Sequence, residues 1–180
     1  MDKKIYIMLS RTGTRFSRAI GLFTQAPYNH ASIALDENLN FLYSFGRRNL
    51  YLPILAGFIK EDLNSGIYKI YTDTRCQIYC ISVSVAQYHD ITLLIKQFEE
   101  SYNKYHYNFF GLITMLFNIP FRRQYHYVCS QFVAYILEQC NIVDFNALLE
   151  KDASLIRPHD LSSLPNCNLI YSGKLADYTT

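Results

Sequence analysis

Tryptophan is absent from the 180-residue chain, and only 7 glycines and 5 prolines occur. No G-x-G-x-x-G or G-x-x-x-x-G-K pattern is present, so the glycine-rich loops that cradle nucleotide phosphates are missing. Charge of one sign is also lacking: 17 Lys and Arg face 15 Asp and Glu, a net charge of +2. That balance argues against nucleic-acid binding as the main task. Charged residues make up only 18% of the chain while 50% are apolar, which excludes a disordered or fibrous protein and fits one core. No internal repeat, low-complexity tract or linker divides residues 1–180, so a single domain is expected.

Long hydrophobic runs are missing as well. The opening Ile5-Tyr6-Ile7-Met8-Leu9 is shorter than the apolar core of a signal peptide. The stretch from Tyr105 to Phe121 is uncharged, but His106, Asn108, Asn118 and Pro120 interrupt it. It falls short of the roughly 20 apolar residues that a membrane span needs; it reads as a buried helix, with a membrane-touching segment as the alternative. No integral membrane segment and a cytoplasmic location are therefore expected. The 5 cysteines are odd in number and irregularly spaced, as free thiols in a reducing compartment would be.

What is present is a mixture of periods. Residues 4–8 read as a strand, and Thr14 is placed to cap a helix with Phe16, Ala19, Ile20 and Phe23 on one face. His30–Leu35 and Asn40–Phe45 read as a hairpin around Asp36-Glu37-Asn38-Leu39. An irregular segment follows, from Arg47 to Gly66. Strands are expected at Ile67–Tyr71 and Gln77–Val85, a long helix from Ala86 to Asn103, a helix from Cys129 to Cys140 and a last strand at Asn168–Tyr171. The class is α+β with antiparallel strands.

Cys129 is the sharpest chemical candidate. The first turn of an apolar helix offers unpaired N–H groups and a positive dipole end, which favour a thiolate and can stabilise an oxyanion. A thiolate nucleophile needs a base in reach. His30 opens a strand followed by the small residues Ala31, Ser32 and Ala34, which leave room for a substrate. Other readings of the same residues are a buried structural cysteine, a packed histidine, or half a zinc site in His126-x-x-Cys129. Cys76-x-x-x-Cys80 has no matching second pair and is weak as a metal motif. No cofactor is expected.

Tyr28-Asn29-His30-Ala31-Ser32-Ile33-Ala34-Leu35, followed far downstream by Val128-Cys129-Ser130-Gln131-Phe132-Val133, resembles the circularly permuted papain-like enzymes. These are the permuted branch of the NlpC-like cysteine peptidase superfamily, with the YiiX-like and lecithin:retinol acyltransferase-like proteins. Thr12-Gly13-Thr14 with Ser17 and Arg157-Pro158-His159-Asp160-Leu161 resemble the family's elements before the histidine strand and after the cysteine helix.

The resemblance implies a permuted papain-like fold, a small antiparallel sheet packed against helices. It implies Cys129 as nucleophile, His30 as base and a third polar residue on the neighbouring strand, for which Ser44 has the right spacing. The Cys129 N–H with the Tyr28 hydroxyl would bind the oxyanion. The residues Arg47-Arg48 followed by Leu50–Phe58 read as a solvated charge pair beside a buried loop or, in the functional reading, as a lid with a basic edge and an apolar wall. Activity on a peptide, amide or acyl-ester carbonyl is implied, as hydrolase or acyltransferase. An inactive binding module of the same fold is the alternative that a serine in the third position favours.

Overall fold

The computed structural model describes residues 2–13, 26–49, 52 and 54–178. The expected Thr14 helix, and Ser17 with it, lie outside them. Strands β1 (Lys3–Arg11), β2 (His30–Ala34), β3 (Leu42–Arg47), β4 (Ala56–Glu61), β5 (Arg75–Val83), β6 (His106–Tyr107), β7 (His126–Tyr127) and β8 (Cys167–Lys174) form one sheet. Its order is β7-β6-β4-β3-β2-β1-β5-β8. Every pairing is antiparallel except β6 with β7. The α+β class is as expected; the sheet, at eight strands, is larger than expected.

Six α-helices are described, α1 (Gly66–Ile70), α2 (Val85–Glu100), α3 (Phe109–Leu116), α4 (Cys129–Gln139), α5 (Phe145–Leu149) and α6 (Pro158–Leu161), with short 3-10 helices at Tyr102–Lys104, Ala153–Leu155 and Leu175–Asp177. Long α2 starts where Ser84 accepts the Gln87 N–H and the Gln87 side chain returns to the Ser84 N–H. That reciprocal cap fixes its first turn.

Side-chain alternation builds two cores from one sheet. Ile5, Ile7 and Leu9 of β1 point to the larger face with Ala31, Ile33, Tyr43, Phe45 and Phe58. Helix α2 covers it with Ile91, Ile95 and Phe98, and α4 with Phe132, Val133, Ile136 and Leu137. Tyr6, Met8, Ala34, Leu42, Cys76 and Ile78 point the other way and meet Tyr68 of α1 and Leu175. Burial of both faces explains why Ile5–Leu9 of β1 is a continuous apolar run rather than alternating.

Three local expectations are corrected. Ile67–Tyr71 is not a strand; Gly66–Ile70 is the helix α1. Ile-Tyr-Lys-Ile-Tyr alternates like a strand, but Gly66 takes φ 56° at the helix start and the backbone bonds Lys69 N–H to Ser65 O and Tyr71 N–H to Ile67 O. The supposed loop from Arg47 to Gly66 contains β4, paired along β3 from Leu42–Glu61 to Arg47–Ala56. Finally, the Tyr105–Phe121 stretch forms β6 and α3, yet Phe110, Ile113 and Phe117 face outward rather than into a core.

Candidate active site

Helix α4 begins at Cys129 with Val128 as its N-cap. Valine carries no acceptor, so no side chain caps the first turn. The first-turn amides stay available, and the backbones of Ser130 and of Ala31 in β2 favour the Cys129 thiolate. Gln131, one turn along, anchors the approach: its Oε1 accepts the Val128 N–H at 2.9 Å and its amide donates to Ser154 O at 2.8 Å. Cys129 is thereby held against the start of β2.

His30 opens β2 and lines the same cleft as Cys129, whose sulfur favours the protonated ring. Its Nε2–H donates to Oε1 of Glu61 at 2.6 Å. With Nε2 committed to Glu61, Nδ1 is the ring nitrogen left to exchange a proton with the sulfur. Glu61 ends β4 and is buried. Three hydroxyls donate to its oxygens: Tyr68 at 2.7 Å, Ser32 at 3.0 Å, and Ser44. The sheet register explains the gathering. Ala34 pairs with Leu42 and Leu42 with Glu61, so Ser32, Ser44 and Glu61 share the smaller face. Tyr68 comes from α1, which packs on that same face.

The expected role of Ser44 is corrected here. Ser44 lies on the right strand and face, but its hydroxyl donates to Glu61, and the carboxylate, not the serine, holds the imidazole. A neutral hydroxyl gives one hydrogen bond to a ring; a carboxylate adds charge that stabilises the imidazolium. Glu61 was missed because it lies inside the segment read as irregular. Its signal was Phe58-Ile59-Lys60-Glu61, a short apolar pair running into an acid.

The electrostatics form a linked set. Burial alone would lower the His30 pKa; the charge and hydrogen bond of Glu61, with the Cys129 sulfur, reverse this and push it up to about 10. Burial would raise the Glu61 pKa, but His30, Ser44 and Tyr68 bring it below the ordinary carboxylate value. For Cys129, burial pushes up, and His30 with the two backbones pulls the thiol below its usual range. Each shift therefore favours the charged form, thiolate, imidazolium or carboxylate, over the neutral one. The other four thiols go the opposite way: burial pushes Cys76 and Cys167 up to about 12 and Cys140 up to about 11, and it raises Cys80.

A cleft of about 300 Å³ opens on these groups, lined by Cys129, His30, Glu61, Arg47, Ile59 and Tyr107 among others. A smaller pocket of about 30 Å³ reaches Cys129 from its other side and contains Tyr28, Ser130 and Tyr107. Tyr107 packs against Cys129 in both pockets, and no local pattern in the sequence singles it out. Arg47 borders the cleft, but Arg48 is spent on structure. Its guanidinium donates to the carbonyls of Tyr105, at 2.7 Å, and Tyr102, and lies over the Tyr102 ring. Of the expected edge Leu50–Phe58, residues 50, 51 and 53 lie outside the described set, and Ala56–Phe58 belong to β4. His126 does not turn to Cys129: its Nδ1 bonds Gln124 O at 2.8 Å and its ring meets His106. Among the described residues no group of three or more His, Cys, Asp or Glu is placed to hold a metal ion.

Comparison with protein families, with curated proteins and with solved structures finds no match to this chain. The site's own chemistry is thus the basis for a functional reading.

Proposed function

We propose that the chain is a thiol-dependent hydrolase of the permuted papain-like class, acting on an amide or ester carbonyl. One observation carries the reading: the half-buried His30 ring, hydrogen-bonded to the Glu61 carboxylate, stands beside the Cys129 thiol at a helix N-terminus. The order of these residues along the chain, base before nucleophile, agrees with the permuted motif quoted above. The serine that favoured an inert binding module is replaced in the third position by a charged group, which weakens that alternative.

The chemistry follows from the geometry. The Cys129 thiolate attacks the carbonyl carbon, an S–C bond forms, and the C=O pair moves onto oxygen. The Cys129 N–H, with the Tyr28 or Tyr107 hydroxyl from the smaller pocket, would bind that oxyanion. His30 then gives its proton to the leaving amine or alkoxide as the C–N or C–O bond breaks. Water attacks the resulting thioester, His30 takes the water's proton, and the acid product leaves with Cys129 restored. Glu61 stabilises the imidazolium throughout.

An activated ester such as p-nitrophenyl butyrate tests this without knowledge of the natural substrate. Nitrophenolate should appear in a burst stoichiometric with protein, and the butyryl mass should be found on the peptide carrying Cys129. Cys129→Ala should show neither. Folded wild-type protein that stays unacylated at Cys129 would contradict the proposal.

A further inference from the structure

Helix α3 carries one polar side chain, Thr114, whose hydroxyl donates back to Gly111 O. Such a helix is ordinarily enclosed. Here Met115 turns inward with Leu112, toward Val128 and Cys129. The opposite side is open: Phe110 is 59% exposed, Ile113 53%, Phe117 71% and, just beyond the helix, Ile119 55%. Four large apolar side chains together on one surface mark a docking face. The sequence expectation of a buried helix fails because periodicity reports apolarity, not what covers it.

We propose that this face of α3 and the loop after it rest on the surface of an anionic phospholipid bilayer. Eight residues rise only about 12 Å, too short to cross a membrane, so such a helix lies in the interface. Among the described residues no helix is long and apolar enough to span one. Charge selects the occupant. From Ser101 to Leu137 no Asp or Glu occurs, while Lys104, Arg122 and Arg123 do. Arg122 is shared with Asp152, but Lys104 and Arg123 are exposed. Phe121 ties the basic pair to the patch by packing on Phe110, and the His106 and His126 rings lie 5.3 Å apart beside it. A second copy of the chain on a two-fold axis would set this positive rim against itself. Anionic headgroups complement it. Tyr102 and Tyr125, half-exposed on β6's two sides, suit the headgroup layer. Phe109 packs on Tyr107 and also lines the main cleft, so docking would bring the cleft mouth toward the lipid surface.

The inference does not rest on the thiol chemistry, and Cys129→Ala should bind vesicles as the wild type does. Flotation with vesicles of phosphatidylcholine alone, and of phosphatidylcholine with one third phosphatidylserine, tests it. Wild type should float with the anionic vesicles, more weakly with the neutral ones, and less as salt rises. Phe110→Ser with Phe117→Ser should lower partitioning roughly tenfold or more. Lys104→Glu with Arg123→Glu should remove the preference for phosphatidylserine. Both pairs are exposed, and unchanged circular dichroism would verify folding. Absence of wild-type binding to the anionic vesicles overturns the proposal, as does binding that ignores the Phe substitutions. Light scattering that shows a dimer, dissolved by those same substitutions, without vesicle binding would assign the face to a second copy and overturn it too.

Discussion

Glu61→Gln is expected to cost about three orders of magnitude in acylation of Cys129, with the fold intact. Glutamine keeps the shape and can still accept from Tyr68 or Ser44, but it removes the charge that opposes desolvation of the imidazolium. Burial then acts on His30 with only Cys129 against it, and the His30 pKa falls from about 10. Cys129 loses its cation, and its own burial raises the thiol above its usual range. The pH profile is the specific readout. The acidic limb of single-turnover acylation should move to higher pH in Glu61→Gln, which a simple loss of packing would not do. Ser44→Ala, by contrast, removes one donor from a carboxylate that keeps two other hydroxyls and His30, and should lose about tenfold or less. An effect of Ser44→Ala as large as that of Glu61→Gln would mean that the serine, not the carboxylate, governs the imidazole.

His30→Ala should abolish acylation as fully as Cys129→Ala, since members of one catalytic unit are not additive. It should also destabilise the protein by about 3–5 kcal/mol near pH 6, because Glu61 is left buried without its cation. The sign of the pH dependence separates this from a cavity. His30 has a raised pKa in the folded protein, so its contribution is complete below about pH 6.5 and is lost as pH rises through about 10. Glu61 has a lowered pKa, so its contribution is present above about pH 4.3 and is lost as pH falls through the folded value. The stability gap between wild type and His30→Ala should thus be widest at about pH 5–6.5 and narrow on either side. Urea unfolding at pH 4, 6 and 9 reads the gap directly; a gap independent of pH would show that only packing was lost.

Much of the site could be read from residues with strong local context. Cys129 followed by Phe132, Val133, Ile136 and Leu137 has helical spacing, and α4 does begin at Cys129. His30 begins β2, and the Asp36–Leu39 turn closes the hairpin: Asp36 accepts the N–H groups of Asn40 and Phe41. The rest was hidden for identifiable reasons. Strand β4 reads Ala-Gly-Phe-Ile-Lys-Glu, with two small residues and no alternation. It becomes a strand through pairing with β3, and Gly57 permits β6 to come close, since a Cβ there would lie 2.3 Å from Tyr105 O. That is tertiary information, and Glu61 depends on it. Strands β6 and β7 hold two residues each and are fixed by pairing to each other and, for β6, to β4. They carry Tyr107 into the cleft. Tyr68 was placed on a strand because its neighbours alternate, and only as part of α1 does it reach Glu61.

The central claim is that Cys129 is held as a thiolate by His30 and Glu61. Limiting iodoacetamide across pH 5–9, with the five cysteines followed separately by mass spectrometry, tests it most directly. Cys129 should be labelled well ahead of Cys76, Cys80, Cys140 and Cys167 already at pH 6, with an acidic midpoint that is lost in His30→Ala. Labelling of Cys129 that rises only near the pKa of an ordinary thiol, in step with the other four and unchanged by His30→Ala, would contradict the account.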